Sequence, residues 1–132
     1  MKPGMEIGQK ATIYATVTPD MFAQFEGNVV HPAYSTVSMV YHMEWAARQI
    51  ILPYLEDHEE GIGGGVTASH NNPTPAGAEI KVTATLTKLK GKAVICDVEV
   101  FNGDILVGKG EVTQFILPKE AIKKKLDELS VS

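Results

Sequence analysis

Residues 36–55 have the apolar periodicity of one long α-helix, and this helix constrains the fold more than any other feature of the chain. At ~1.5 Å per residue it would span about 30 Å. Ser35 or Thr36 can cap its start by accepting a hydrogen bond from a free backbone N–H, and Pro53 should kink or end it. His42 falls on the polar side, opposite a broad apolar arc made of Met39, Val40, Met43, Ala46, Ala47, Ile50 and Ile51.

Most of the remaining chain alternates between apolar and other residues with a period of two, which is typical of β-strands. This alternation covers residues 10–18 before the helix, and residues 61–72, 78–90, 93–101 and 105–117 after it. In the second of these strands, one face should carry Ile62, Gly64, Val66, Ala68 and His70. Residues 19–35 are expected to be irregular or to form a short helical turn, and residues 119–129 a short amphipathic helix.

The order of these elements predicts the fold. One strand precedes the long helix, and four strands joined mostly by tight turns follow it; Asn102-Gly103, for example, suits a type I′ hairpin. Sequential hairpins imply an antiparallel sheet. Such a sheet can curl around a helix of ~30 Å and cover its apolar arc. We therefore predict an α+β hotdog fold, in which an antiparallel sheet wraps one central helix, as a single domain over residues 1–132.

Composition excludes several classes of protein. With 132 residues, 44% of them hydrophobic, the chain can bury a core and is not a disordered protein. A net charge of −4 argues against nucleic-acid binding through bulk positive charge, and no apolar run is long enough for a transmembrane helix. Cys96 is the single cysteine, which excludes an internal disulfide and a multi-cysteine zinc site. Since the first residues lack a hydrophobic signal core, we expect a cytoplasmic location, without a membrane or nucleic-acid partner.

Two ionisable residues are candidates for acid–base chemistry. Glu44 lies at the edge of the helix's apolar arc, where partial loss of hydration would raise its pKa and make it a better base. The alternative is a boundary residue paired with Arg48, four residues on. His70 shares a strand face with Val66 and Ala68 and can act as acid or base near neutral pH. It could equally be a core or interface histidine bonded to a backbone carbonyl.

Thr36 and the run Gly63-Gly64-Gly65 are further candidates for the site. The Thr36 hydroxyl could cap the helix, point into a site, or do both, because a helix N-terminus also offers N–H groups to a developing oxyanion. Three glycines in a strand mark either a bend of the sheet or the close approach of a ligand to bare backbone. The remaining histidines are too scattered to predict a metal site, and no nucleotide-binding glycine motif is present, so we expect no metal and no cofactor.

Several stretches, taken together and in order, match one family. The chain resembles the fluoroacetyl-CoA thioesterase family of hotdog proteins over nearly its whole length. The matching segments are Met1–Gly8, Met39-Val40, Met43–Ala46, Pro53–Glu56, Ser69–Asn71 and Thr74–Gly77.

The resemblance implies roles for individual residues. It makes Thr36, Glu44 and His70 the catalytic residues, and it places Gly63, with Gly64 beside it, against the thioester. Gln114 stands where family members can carry an arginine, which changes the contacts expected there. The segment before the helix is also shorter and reads Gly27–Val30 in place of aromatic residues. Because that segment covers the acyl pocket in the fluoroacetyl-specific enzyme, the resemblance does not extend to a fluorinated substrate.

The function implied by the resemblance is hydrolysis of a short or unusual acyl-CoA. Glu44 would act as base or nucleophile, His70 as acid or base, and Thr36 would orient the thioester or the glutamate by hydrogen bonding. Two alternatives remain, a non-catalytic acyl-CoA sensor and a hotdog enoyl-CoA hydratase or dehydratase. Thr36 and Glu44 lie eight residues apart, ~12 Å along an ideal helix. Either the helix begins late, or a homodimer builds the site from two subunits.

Overall fold

A five-stranded antiparallel sheet curls around one helix in the computed structural model, which describes residues 1–131. The strand order in this sheet is β1-β5-β6-β7-β4, and a separate pair, β2-β3, lies before the helix. The bounds are β1 Lys10–Thr16, β2 Phe22–Phe25, β3 Asn28–Tyr34, α1 Thr36–Ile51, β4 Glu59–His70, β5 Glu79–Lys90, β6 Ala93–Asn102, β7 Ile105–Pro118 and α2 Lys119–Leu129. The antiparallel sheet around one long helix and the terminal helix are confirmed.

Helix α1 begins where the sequence indicated and ends slightly earlier. Ser35 is the N-cap, and its hydroxyl accepts a hydrogen bond from the backbone N–H of Ser38 at 3.0 Å. The α-helix ends at Ile51, and a 3₁₀ turn over Leu52–Tyr54, with Pro53 inside it, replaces the predicted last turn. The buried side chains of α1 are Met39, His42, Met43, Ala46, Ala47, Ile50 and Ile51.

The sheet buries one face against α1, as the alternation predicts. Its buried side chains are Ile80, Val82, Ala84 and Leu86 from β5, Val94, Cys96, Val98 and Val100 from β6, and Val107, Val112 and Ile116 from β7. Gly108 lets α1 lie close to the sheet, because a Cβ there would come 2.4 Å from the sulfur of Met39. Packing of the helix into this concave face produces a continuous apolar core.

The segment before the helix differs from its prediction. Pro19–Met21 is the expected short helical turn, but Phe22–Tyr34 forms the hairpin β2-β3 and is not irregular. The two strands join at Glu26-Gly27, where both residues have positive φ. The hairpin could not be predicted from the sequence, because most of its residues are exposed and no alternation of burial marks it.

The prediction of a type I′ turn at Asn102-Gly103 is also wrong. The two-residue turn is Gly103-Asp104, and within residues 102–104 only Gly103 has positive φ, whereas a type I′ turn needs positive φ at both central residues.

Strand β4 is an edge strand and contains a bulge. It pairs with β7, and the register shifts between Gly63 and Gly65. Before the bulge, a Cβ on Gly63 would face Glu44 of α1, whereas a Cβ on Gly64 would meet the ring of Phe115. Beyond the bulge, Val66 packs against the core, so the inward face passes from odd-numbered to even-numbered residues. The prediction that Ile62 and Gly64 share a face with Val66 is therefore wrong.

Within residues 1–131, no helix is long and apolar enough to span a membrane.

Candidate active site

Thr36 and His70 form a hydrogen-bonded pair. Thr36 is the first residue of α1 and His70 is the last of β4, and Oγ1 of Thr36 lies 2.8 Å from Nδ1 of His70. Because Ser35 performs the capping role, the Thr36 hydroxyl is free for this contact. The structure thus brings together two of the residues that sequence reasoning selected, although they lie 34 positions apart.

His70 lines a cleft. Its Nε2 atom is buried and has no hydrogen-bond partner in the described part of the chain. The ring forms a T-shaped pair with the Tyr34 ring, with centroids 6.3 Å apart and planes at 78°. The adjoining cleft has a volume of about 370 Å³ and is lined by Thr36, His70 and residues of β3 and the loop after β4. Since Thr36 occupies Nδ1, Nε2 is the atom available for a ligand or a proton transfer.

A second histidine lies behind this pair, and sequence reasoning placed it on the wrong side of the helix. His42 is only 4% exposed, and its Nδ1 lies 2.6 Å from the Tyr34 hydroxyl. Burial lowers the pKa of His42 and raises that of Tyr34, so the Tyr34 hydroxyl stays protonated and donates to a neutral imidazole. The available signal was weak: on the helical wheel His42 lies only ~40° from buried Ala46.

Glu44 occupies a different cleft, between α1 and β4. The cleft measures about 280 Å³ and is lined by Tyr41, Glu44, Trp45, Arg48, Gly61, Gly63, Val112 and Gln114. A Cβ on Gly63 would lie 3.7 Å from a carboxylate oxygen of Glu44, so the glycine leaves room beside the carboxylate.

Both sequence-based interpretations of the Glu44 environment need correction. Arg48 donates two hydrogen bonds to Glu60, at 2.9 and 3.1 Å, and not to Glu44 as the alternative predicted. Glu44 is also exposed in the single chain, so the expected partial loss of hydration is not present there. The carboxylate is therefore left without the cation that the helical spacing suggested.

Gln114 lies at the inner wall of the Glu44 cleft. It is 7% exposed, and its Nε2 atom has no hydrogen-bond partner among residues 1–131. Its neighbour across the strand pair is Gly63, which adds no side chain. Gln114 thus places an unsatisfied donor beside Glu44, a feature that its position in an alternating strand could not reveal.

The two clefts lie at different heights along α1. Because the helix begins at Thr36, the alternative of a late start is excluded. Thr36 and Glu44 are separated by ~12 Å along the axis and line separate clefts. Gly64, expected beside the substrate, does not line the Glu44 cleft, and a Cβ on it would meet the ring of Phe115. Among residues 1–131, no group of three His, Cys, Asp or Glu side chains could hold a metal ion.

Comparison with known proteins points to one kind of enzyme. Residues 17–120 match the family model described as fluoroacetyl-CoA-specific thioesterase. The fluoroacetyl-CoA thioesterase of Streptantibioticus cattleyicolor is 28% identical over 137 residues, which cover 96% of this chain and 95% of that protein.

Solved structures agree in fold over nearly the whole chain. A Thermus thermophilus hypothetical protein, described as a thioesterase superfamily member, is 42% identical, with a TM-score of 0.90 and coverage of 97% of this chain and 96% of that chain. A mutant of the fluoroacetyl-CoA-specific thioesterase, solved in complex with fluoroacetate and CoA, is 27% identical, with a TM-score of 0.83 and coverage of 89% and 99%. The hotdog fold predicted from the order of elements is confirmed.

Proposed function

Since the chain belongs to the fluoroacetyl-CoA-specific thioesterase family, we propose that it is an acyl-CoA thioesterase that hydrolyses a short or unusual acyl-CoA to the free acid and CoA. The observation that carries this proposal is the Thr36–His70 hydrogen bond at the wall of a cleft, which leaves Nε2 of His70 buried and unpartnered among residues 1–131. A related thioesterase has been solved with CoA, which supports CoA as the carrier of the acyl group.

The reaction needs attack on the thioester carbonyl and departure of sulfur. Glu44 serves as general base toward water or as nucleophile, because its carboxylate is open to the cleft. The carbon–sulfur bond then breaks, and sulfur leaves with the electron pair as the thiolate of CoA. Where Glu44 is the nucleophile, this step leaves an anhydride between the acyl group and Glu44, and water then cleaves it to the free acid and the carboxylate. Thr36 fixes the orientation of the His70 ring, so that Nε2 can exchange a proton with the reacting groups. The bare backbone at Gly63 lets the thioester lie against β4.

The active site is proposed to form between two protomers of a symmetric homodimer. Helix α1 exposes an apolar strip next to Glu44, in which Val37 is 79% and Tyr41 63% exposed. Beside it, the edge strand β4 leaves much of its length exposed. Apolar strips and free strand edges of this kind are suited to association. Two-fold symmetry would bring Glu44 of one protomer toward Thr36 and His70 of its partner.

A cytoplasmic location is part of the same proposal. Cys96 is a buried free thiol, and burial raises its pKa to about 11, which keeps it protonated and unreactive. A protein that folds without disulfides is suited to a reducing compartment.

Release of thiol from a panel of acyl-CoA esters tests the function. We expect free CoA from one or more short acyl esters, and at least ~10²-fold slower release with His70→Ala, because the acid–base group is lost. His58→Ala is the matched control, since His58 is exposed in the loop before β4. Hydration of an enoyl-CoA without thiol release would instead identify a hydratase. Binding without any reaction would identify a sensor, and either result would overturn the proposal.

A further inference from the structure

The side chain of Gln114 lies where an apolar residue would be expected. It is on the inward face of β7, between Val112 and Ile116, both of which are buried core residues. Burial of an amide is unfavourable unless its hydrogen bonds are replaced. Nevertheless, Nε2 of Gln114 is buried and has no hydrogen-bond partner within the described residues 1–131. A native core rarely leaves such a donor unsatisfied, so we expect a ligand to form a hydrogen bond with the amide.

The residues around Gln114 provide no hydrogen-bond partner for its amide. Its cross-strand neighbours are Gly63 on β4 and Val94 on β6, and neither side chain can form a hydrogen bond. A Cβ on Gly61 would lie 3.8 Å from Oε1 of Gln114, so the absence of a side chain at Gly61 leaves no side chain between that residue and the amide. The glycines on β4 therefore open a path to the amide.

The two polar residues Glu44 and Gln114 lie at different depths in the cleft. Glu44 is exposed at the mouth, whereas Gln114 is 7% exposed at the inner wall. Both line the same cleft of about 280 Å³. If the thioester carbonyl is attacked at Glu44, the acyl chain extends inward and its far end reaches Gln114. The Glu44 carboxylate disfavours an anionic acyl group in this small space, because like charges repel.

We propose that Gln114 recognises a neutral oxygen on the acyl group, so that the preferred substrates are short hydroxyacyl-CoA esters rather than plain alkyl esters. This inference rests on the proposed function and specifies its substrate class. A hydroxyl both donates and accepts, and it can therefore pair with the amide in either orientation of Gln114. An alkyl group of the same size would expel water and leave the amide unpaired. A site built to form a hydrogen bond discriminates far more strongly than an apolar pocket does.

Matched pairs of substrates test this inference. Glycolyl-CoA and propionyl-CoA differ by a hydroxyl in place of a methyl group, as do 3-hydroxypropionyl-CoA and butyryl-CoA. We expect kcat/KM to favour the hydroxyl member at least ~10-fold in one of the pairs. Gln114→Met keeps the side-chain length and removes the amide, so it should reduce that ratio to about one. Gln49→Met is the matched control, because Gln49 lies on α1 outside this cleft and should keep the wild-type ratio.

Failure of this inference is distinguishable from failure of the proposed function. If wild type and Gln114→Met hydrolyse esters with the same ratio, or if the alkyl member is preferred, the function stands and the inference is wrong. Satisfaction of the amide by a partner subunit would give the same result. If no ester is hydrolysed, the proposed function fails, and calorimetric dissociation constants for the same pairs decide the inference. Equal affinities for both members would overturn it, and tighter binding of the hydroxyl member by wild type alone would support it.

Discussion

The contact between Thr36 and His70 determines which ring nitrogen of the histidine is left without a partner. The hydroxyl lies 2.8 Å from Nδ1, and Nε2 is buried and left unpartnered among residues 1–131. The ring also makes an edge-type contact with the ring of Tyr34. A histidine restrained in this way loses little freedom when it transfers a proton, which favours catalysis by position.

Removing the Thr36 hydroxyl should therefore lower turnover. Thr36→Val has nearly the same shape but cannot bond to Nδ1, and we expect kcat to fall ~10- to 10²-fold because the ring loses its orientation. Thr36→Ser retains the hydroxyl and should keep most of the activity. Steady-state kinetics on one acyl-CoA would measure both variants. Equal turnover for valine and serine at this position would show that the hydrogen bond does not serve the reaction.

The sequence predicted which residues are candidates for the site, but not which contacts surround them. The sequence, with its family resemblance, selected Thr36, Glu44 and His70, and two of these three are in direct contact. It could not show that Arg48 pairs with Glu60. That contact joins the helix to a strand, whereas helical spacing predicts only pairs within one helix. Alternation along a strand indicates which face a residue occupies but not whether its amide finds a hydrogen-bond partner, so the buried donor of Gln114 could not be predicted either.

At the scale of elements, alternation predicted those strands that bury one face. Strands β5, β6 and β7 alternate between buried and accessible residues, and each was predicted within two residues of its bounds. The hairpin β2-β3 is mostly exposed, and so it carries no such signal. The bulge at Gly63–Gly65 exchanges the faces of β4, which a strict period of two cannot anticipate.

The burial of His42 on α1, next to Tyr34, predicts a dependence of stability on pH. Burial lowers the pKa of His42 below its usual 6.5, so the unfolded chain binds a proton in a range where the folded protein does not. The contribution is complete above pH ~6.5 and is lost as pH falls toward the folded pKa. We expect the free energy of unfolding to decrease from pH 7 to pH 5, by at most about 1.4 kcal/mol per pH unit from this group.

Denaturant unfolding at fixed protein concentration measures this effect. His42→Gln retains an acceptor for the Tyr34 hydroxyl but does not titrate, and so its stability should decrease less over the same pH range. His58→Gln removes an exposed histidine and should behave as wild type. An identical pH dependence in wild type and His42→Gln would show that His42 does not contribute.

At the scale of the whole molecule, one chain presents two incomplete sites. Glu44 and Gly63 line one cleft, and Thr36 and His70 line another, at different heights along the same helix. The spacing of these residues in the sequence suggested either a late helix start or a second subunit, and the start at Thr36 excludes the first of these. The exposed apolar strip beside Glu44 is the surface through which we expect the two protomers to associate.

Mixing two inactive variants tests the composite thioesterase site most directly. Glu44→Gln and His70→Ala should each be nearly inactive in thiol release. If each site takes Glu44 from one protomer and His70 from its partner, half of the sites in a mixed dimer combine both native residues. Random exchange of equal amounts should then restore about one quarter of wild-type activity, since about half of the dimers are mixed. Activity that stays at the level of the separate variants, after exchange is verified by tagged subunits, would contradict a site shared between protomers.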